Sequence, residues 1–347
     1  MSAVATAESP AVHNGRALKI FFPLLFLACI GVAVLSMCTG SLGITPAEVW
    51  NMLLHPDGST ASMIVWKIRL PRAFATLLGG GYLAVSGLLL QVYFRNPIVG
   101  PFILGISSGA TLMVSLVMLT TLTVQLQLMS SITTTLAAII GAYAVMSIVV
   151  FISSRVSSGI TVLIVGLMMG YLCHSVTAVL TALAEKEQIK GFVLWQLGSF
   201  SGFKWGEIEL LLLFGGAVLL AIYLMAKPLN ALLLGEEYAL SMGIPVRWFR
   251  VALLLTSCAL AGMVTAMAGP VAFIGLAVPH MARMIFSTSD NRILIPASML
   301  LGGLVTALCD LVARSLMAPV ELPLSAITAL FGAPVVIGLL MKKRVNL

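Results

Sequence analysis

About ten stretches of this chain are apolar for long enough to cross a bilayer as helix, and that succession restricts the fold more than any single motif. They run at roughly 17–38, 73–94, 101–124, 131–152, 160–184, 208–226, 248–268, 270–286, 293–315 and 325–341, against the ~20 residues that ~30 Å of hydrocarbon requires. Only 9% of the residues are charged and 60% are hydrophobic, where a soluble domain carries about 25% charge. Lipid offers the backbone no hydrogen-bond partner, and the runs lack the ~10-residue alternation of barrel strands. The expected fold class is therefore an all-α integral membrane protein. It forms one transmembrane domain over 16–347, behind a polar tail at 1–15 that reads as disordered.

The first run follows Arg16 and Lys19, but it is longer than a secretory h-region and no small-x-small cleavage site follows it. Cys38 follows Leu35, Ser36 and Met37, a poor lipidation box because Met37 is too large. The run is therefore expected to stay as the first span. Cys29, Cys38, Cys173, Cys258 and Cys309 all fall in apolar runs with no C-x-x-C pair, which suits packing rather than metal or redox chemistry. No cofactor is expected.

Ten spans with the amino terminus inside put both termini in the cytoplasm. Most of the 19 Lys and Arg, among them Arg95, Arg155, Lys227, Arg247, Arg250, Arg283, Arg292 and Lys342 to Arg344, then face inward, as the positive-inside rule prefers. Lys67, Arg69 and Arg72 face outward in a cluster, with Lys186, Lys190, Lys204 and Arg314. Membrane anchoring by snorkelling side chains and docking of an outside partner both account for such a cluster. The same two readings apply to 185–209, whose Trp195 and Trp205 suit interfacial height.

The second span carries Gly79, Gly80, Gly81 and Gly87, so close helix packing is expected along it. It ends in Arg95-Asn-Pro-Ile-Val-Gly-Pro-Phe-Ile-Leu-Gly-Ile-Ser-Ser-Gly109, which reads as broken backbone re-entering as helix beside protein or a watery path. Gly269-Pro-Val-Ala-Phe-Ile-Gly-Leu276 echoes Gly100-Pro-Phe-Ile-Leu-Gly-Ile106, as in an internal repeat of about five spans. Of the few ionisable groups inside spans, Asp310 and Arg314 sit four apart and can neutralise each other. His174 and His280 read as hydrogen-bonded interior residues.

Between two apolar runs lies a polar island at 227–250. Pro228 and Pro245 bracket it, and Gly235 and Gly243 break it, so two short helices joined at a glycine are expected. A loop built that way is stiff.

Arg69-Leu-Pro-Arg72, Arg95-Asn-Pro97 with Leu104-Gly-Ile-Ser-Ser-Gly109, Trp195-Gln-Leu-Gly-Ser199, Gly235-Glu-Glu-Tyr-Ala-Leu-Ser-Met-Gly243, Gly269 to His280, Asp310-Leu-Val-Ala-Arg314, and Glu321-Leu-Pro323 with Gly332-Ala-Pro334 occur in that order. Together, from about 60 to 343, they resemble FecCD-type (type II) ABC importer permeases for iron-siderophore complexes, haem or cobalamin. The resemblance implies a second permease subunit in a homodimer or close heterodimer, two cytoplasmic ABC ATPase subunits and an extracytoplasmic substrate-binding protein, in a bacterial inner membrane.

It further implies coupling helices at 230–243 that meet the ATPase through Gly235, Glu236, Glu237, Ala239, Met242 and Gly243. Arg69, Arg72 and Arg314 are implied to face acidic groups of the binding protein. Asn96 and Ile98 match the inner constriction. Ser158, Gly159 and Ile160 match a second gate element, although Gly159 and Ile160 stand where hydroxyl residues are expected. No G-x-x-x-x-G-K-[ST] is present, so the NTPase is another chain. An ion-coupled transporter would need midplane carboxylates, and an intramembrane metalloprotease would need an H-E-x-x-H pattern. Nothing points to nucleic acid.

Overall fold

In the computed structural model, residues 14–40, 42–120, 131–156 and 159–343 are described. The tail up to residue 13, the gate residue Ser158 with its neighbour Ser157, and Arg344 lie outside them. Seven helices are long and apolar enough to cross a membrane, and three shorter apolar ones, Ile106–Leu119, Ile274–Phe286 and Leu324–Gly338, complete the ten expected from the apolar runs. No β-strand occurs among the described residues.

In chain order the elements are α1 (Asn14–Cys38), α2 (Pro46–Leu54), α3 (Thr60–Ile64), α4 (Leu70–Phe94), α5 (Ile106–Leu119), α6 (Ser131–Ser153), α7 (Gly159–Leu183), α8 (Lys186–Gln196), α9 (Trp205–Leu210), α10 (Gly216–Leu224), α11 (Ala226–Leu234), α12 (Glu236–Ser241), α13 (Val246–Ala268), α14 (Ile274–Phe286), α15 (Asn291–Ser315) and α16 (Leu324–Lys343). Wider π-type turns at Val65–Arg69 and Leu211–Gly215 carry α3 into α4 and α9 into α10. The rod Thr60–Phe94 is 35 residues long, or about 52 Å at the helical rise, and so outreaches the hydrocarbon core. Outside it, α2 starts on a capping box in which Thr45 and Glu48 satisfy each other's groups. The Thr45 backbone N–H and then its hydroxyl hold the Glu48 carboxyl below its usual range.

The bundle is organised around α4, 83% of whose most apolar window is buried. It runs antiparallel to α13: Gly79 lies by Val264, Ser86 meets Ser257, and Arg250 covers the Tyr93 ring. Those contacts advance seven residues at a time on one helix and fall back seven on the other, the repeat that keeps two helices in register. Beyond each other, α4 packs on α14 and α15, while α13 packs on α5 and α6. Each half thus sends its second span into the third and fourth spans of the other half. Since five is odd, the second half is inverted relative to the first.

Ser86 and Ser257 mark the crossing. Their hydroxyls are 2.7 Å apart, and each also lies within reach of the other residue's carbonyl, at 2.9 and 3.2 Å. Both side chains are buried. Ser86→Ala is expected to cost about 1–2 kcal/mol, because it leaves the Ser257 hydroxyl short of a partner. Adding Ser257→Ala should cost less than a second equal increment. A double-mutant cycle of thermal unfolding in detergent measures this, and strict additivity would count against the pairing.

Candidate functional site: an anchored elbow, a buried arginine cluster and two broken helices

The polar island folds into the two short helices expected, α11 and α12, with Gly235 between them at φ 140° and Gly243 closing the second at φ 78°. Side chains rarely take those angles, so glycine is required at both corners. Pro228 falls in the first turn of α11, where its missing N–H breaks no helical bond.

One face of the elbow is buried through Ala226, Leu229, Ala231, Leu232 and Ala239, while Leu234, Tyr238, Leu240 and Met242 are exposed. Ala239 therefore packs inward, at 0% exposure, and is not part of the outer surface that the sequence suggested. Polar bonds then fasten the elbow to two spans, one of which leans on a third. Asn230 donates to Asp290 (2.6 Å) and accepts from the Asn291 backbone and side chain (both 2.8 Å), which ties α11 to the start of α15. Asp290 also caps that helix by accepting from the Arg292 N–H. Glu236 pairs with Arg250 of α13, and Arg250 lies over Tyr93 of α4. Glu237 stays exposed.

At the opposite end of α4 the three outward arginines come together, but inside the protein. Arg72 grips Asp310 through Nε (3.0 Å to Oδ2) and Nη2 (2.9 Å to Oδ1), and reaches Glu321 through Nη1 (2.7 Å). Arg69 donates to the carbonyls of Met37 (2.6 Å) and Leu42 (2.5 Å). Arg314 donates to the Ser36 carbonyl and hydroxyl at 2.8 and 2.7 Å. The side chains of Arg72 and Arg314 are each 8% exposed, and Arg69 is buried. None offers a free guanidinium to the surface.

The expected Asp310–Arg314 ion pair is present at 3.9 Å, but the closer partner of Asp310 is Arg72, which the sequence did not point to. Helical spacing brings Arg314 near, but the antiparallel packing of α4 on α15 gives Asp310 a guanidinium in bidentate geometry. Glu321 is the half-exposed member, at 44%.

The two Gly-Pro segments are non-helical, and α5 and α14 start only at Ile106 and Ile274. Thus the apolar run expected from 101 becomes helix five residues later. The breaks meet: a Cβ on Gly275 would stand 2.8 Å from the Pro101 ring and from the Leu83 carbonyl. A cavity of about 300 Å³ lies between them, lined in part by Phe102, Ile103 and Phe273. The Trp195–Ser199 motif is explained by backbone bonds, Ser199 N–H to Ala268 O (2.8 Å) and Leu324 N–H to Gly198 O (3.4 Å), which lace α8 to the end of α13 and the start of α16.

At the elbow end of α4, Arg95 turns the chain at φ 48° and Asn96 accepts from the Ile98 N–H at 3.0 Å. Ile98 and Ile160 are both exposed. Phe94 is the nearest contact of Gly159 (3.7 Å from an added Cβ), so the two expected gate elements are adjacent. Among the described residues, no group of three or more His, Cys, Asp or Glu could hold a metal ion.

Two inverted five-span halves, interleaved through their second spans and carrying a fixed elbow at one end, define a multi-pass membrane transport permease. The chain belongs to the FecCD transport family, whose model matches residues 26–342. It is 34% identical to the hemin transport system permease protein HmuU of Yersinia pestis, over 95% of this chain and 98% of that one. It is 35% identical to the vitamin B12 import system permease protein BtuC of Escherichia coli O127:H6, over 91% and 95% respectively.

Among solved structures, an inward-facing conformation ascribed to a metal-chelate type ABC transporter superposes with a TM-score of 0.81 at 28% identity. It covers 94% of this chain and 99% of its own. PsaBC from Streptococcus pneumoniae, at 14% identity and a TM-score of 0.51, shares the fold alone. Sequence reasoning missed Asn230 and Asp290. A polar residue in a short amphipathic helix gives no sign of a partner 60 positions away.

Proposed function

We propose that this chain is the permease subunit of an ATP-driven importer that brings a metal chelate, either an iron complex such as haem or a siderophore or else cobalamin, into a bacterial cytoplasm. It works as one of two permease subunits in the inner membrane with both termini inside, together with two ABC ATPases and an extracytoplasmic binding protein. The elbow carries this reading. It is bonded to α13 and α15 and packs on α4, while Leu234, Tyr238, Leu240 and Met242 leave an apolar face open. A motor pressing on that face would move three spans as one lever, because a helix pair without slack converts contact into rotation.

Glu237 is an exposed acidic charge on this surface, Glu236 works through Arg250, and Ala239 and the two glycines fix the shape. Asn96 and Ile98, with Ser158, Gly159 and Ile160, form the inner constriction. On the outer rim, Lys67 and Glu321 are exposed, so direct contact with the binding protein falls to them. Arg69, Arg72 and Arg314 hold the rim in shape.

The test is reconstitution of the permease with its ATPase and binding protein in liposomes. ATP-dependent uptake of haem, cobalamin or a ferric siderophore is expected for the native complex. Leu240→Glu with Met242→Glu should cut it at least tenfold and release the ATPase, while the permease stays monodisperse because both side chains are exposed. Uptake without ATP, or full uptake by the double variant, would overturn the reading.

A further inference from the structure

The cavity of about 300 Å³ between the two broken segments takes in the start of a helix from each half. Here α5 runs alongside α7, with Gly105 against Gly166 and Gly170 and Ser115 within reach of Thr177. In turn α14 runs alongside α4, with Gly275 against Leu83 and Gly87, and Arg283 on Gln91. Because α4 ends where α7 begins, at the contact of Phe94 with Gly159, α5 and α14 point in opposite directions. Their amino-terminal ends therefore face each other across the cavity. Leu83, which lines it, lies about 17 Å along α4 from Phe94, close to the middle of a ~30 Å hydrocarbon core.

Neither helix start is closed by a side chain. The first α5 amide to bond back to a carbonyl is that of Gly109, to Gly105 at 2.8 Å. In α14 the amides of Ile274 and Leu276 bond to carbonyls, but among the described residues that of Gly275 does not. Open amides are ordinary at a helix start in water and costly at this depth. Ser107 points independently to a ligand. It is 4% exposed and lines the cavity. Its carbonyl accepts from Thr111, whereas its hydroxyl has no partner among the described residues and is not sealed away from the open space. A smaller recess shares Phe102 and Ser107 and is edged by His174. That histidine is exposed, not the hydrogen-bonded interior residue expected, whereas His280 does have a partner.

Charge selects the ligand. A helix amino terminus carries a partial charge of ~+0.5, so the two starts bring about one positive charge to a cavity that no ionisable residue lines. Farther along α14, Arg283 rests on the neutral Gln91, itself bonded to the Leu276 carbonyl at 3.1 Å, which adds to the positive side. Water would satisfy the amides and leave that charge unbalanced. One monoanion cancels it, whereas a dianion would leave a net charge in the bilayer core.

We propose that this cavity is a binding site for one small monoanion of the halide kind, held by the Ser107 hydroxyl and the open amides of α5 and α14. A single ion then serves a helix from each half and ties the two broken segments together. The inference goes beyond the permease reading and does not rest on it.

The test uses the full-length permease in nanodiscs, with chloride as the probe. At equal ionic strength the native protein is expected to melt about 3 °C or more higher in saturating chloride than in gluconate, as a ligand of the folded state requires. Bromide should replace chloride, and sulfate should not. Ser107→Ala should raise the chloride concentration at half effect at least fivefold. Ser107→Asp brings its own carboxylate to the cavity and should melt alike in both salts, while Ser108→Ala, outside the lining, should respond as the native protein does. Equal melting of the native protein in the two salts overturns the proposal. So does a chloride effect that Ser107→Ala leaves unchanged, which would mean an adventitious ion only. If Ser107→Ala does not fold, loss of the salt dependence in Ser107→Asp supports the site and its persistence rejects it.

Discussion

Asp310→Ala should destabilise this protein by about 3–5 kcal/mol, the usual cost of removing one partner from a buried ion pair. Asp310 is 3% exposed and sits between two guanidinium groups, one in bidentate contact at 2.9 and 3.0 Å and the other at 3.9 Å. Removing its carboxylate leaves Arg314 with only the Ser36 oxygens and Arg72 with Glu321 alone. Arg72→Leu should be comparably damaging, because it strands the carboxylate. The double variant Arg72→Leu with Asp310→Leu removes both buried charges and should recover much of the loss, as apolar replacements of buried pairs do. Thermal unfolding in detergent separates these outcomes. If either single variant melts within a degree of the native protein, Asp310 is not held as the structure has it.

Gly87→Leu is expected to prevent the bundle from closing. A Cβ built at Gly87 falls on the carbonyl group of Gly275, where α4 and α14 touch backbone to backbone. Backbone cannot turn aside as a side chain can, so overpacking there should exceed the usual 1–3 kcal/mol. Gly87→Ala should already reduce the yield of monodisperse protein, and Gly87→Leu should abolish it. Gly31 in α1 gives the opposite sign: an added Cβ meets nothing within 4 Å. Gly31→Ala should stabilise by up to about 1 kcal/mol through helix propensity alone. Equal tolerance at the two positions, measured by size-exclusion chromatography and melting, would rule out the close α4–α14 approach.

Much of the elbow was legible because proline and glycine act locally. Pro228, Gly235, Gly243 and Pro245 restrict their own backbone angles whatever surrounds them, and α11 and α12 fall between them. The broken starts of α5 and α14 were readable for the same reason. The arginines were not. A charged side chain beside a span looks alike whether it reaches water or a buried carboxylate, and only the fold brought Asp310, 238 residues from Arg72, into reach. The resemblance puts Ala239 among the ATPase contacts, but packing buries it, and a six-residue helix has too few positions for the sequence to fix its rotation. The apolar span around His174 suggests burial, yet α7 exposes most of one face, His174 included.

By itself the sequence determined the ten spans, the glycine-hinged elbow and the repeat of about five spans, since hydropathy, backbone freedom and repetition are written in neighbouring residues. Only the tertiary structure decided that α4 and α13 cross into each other's half at Ser86 and Ser257, that three arginines turn inward, and that Asn230 anchors the elbow to α15. Those outcomes depend on which distant groups meet when apolar helices pack. In a chain whose spans are nearly uniform in polarity, packing shape rather than local composition selects the partners.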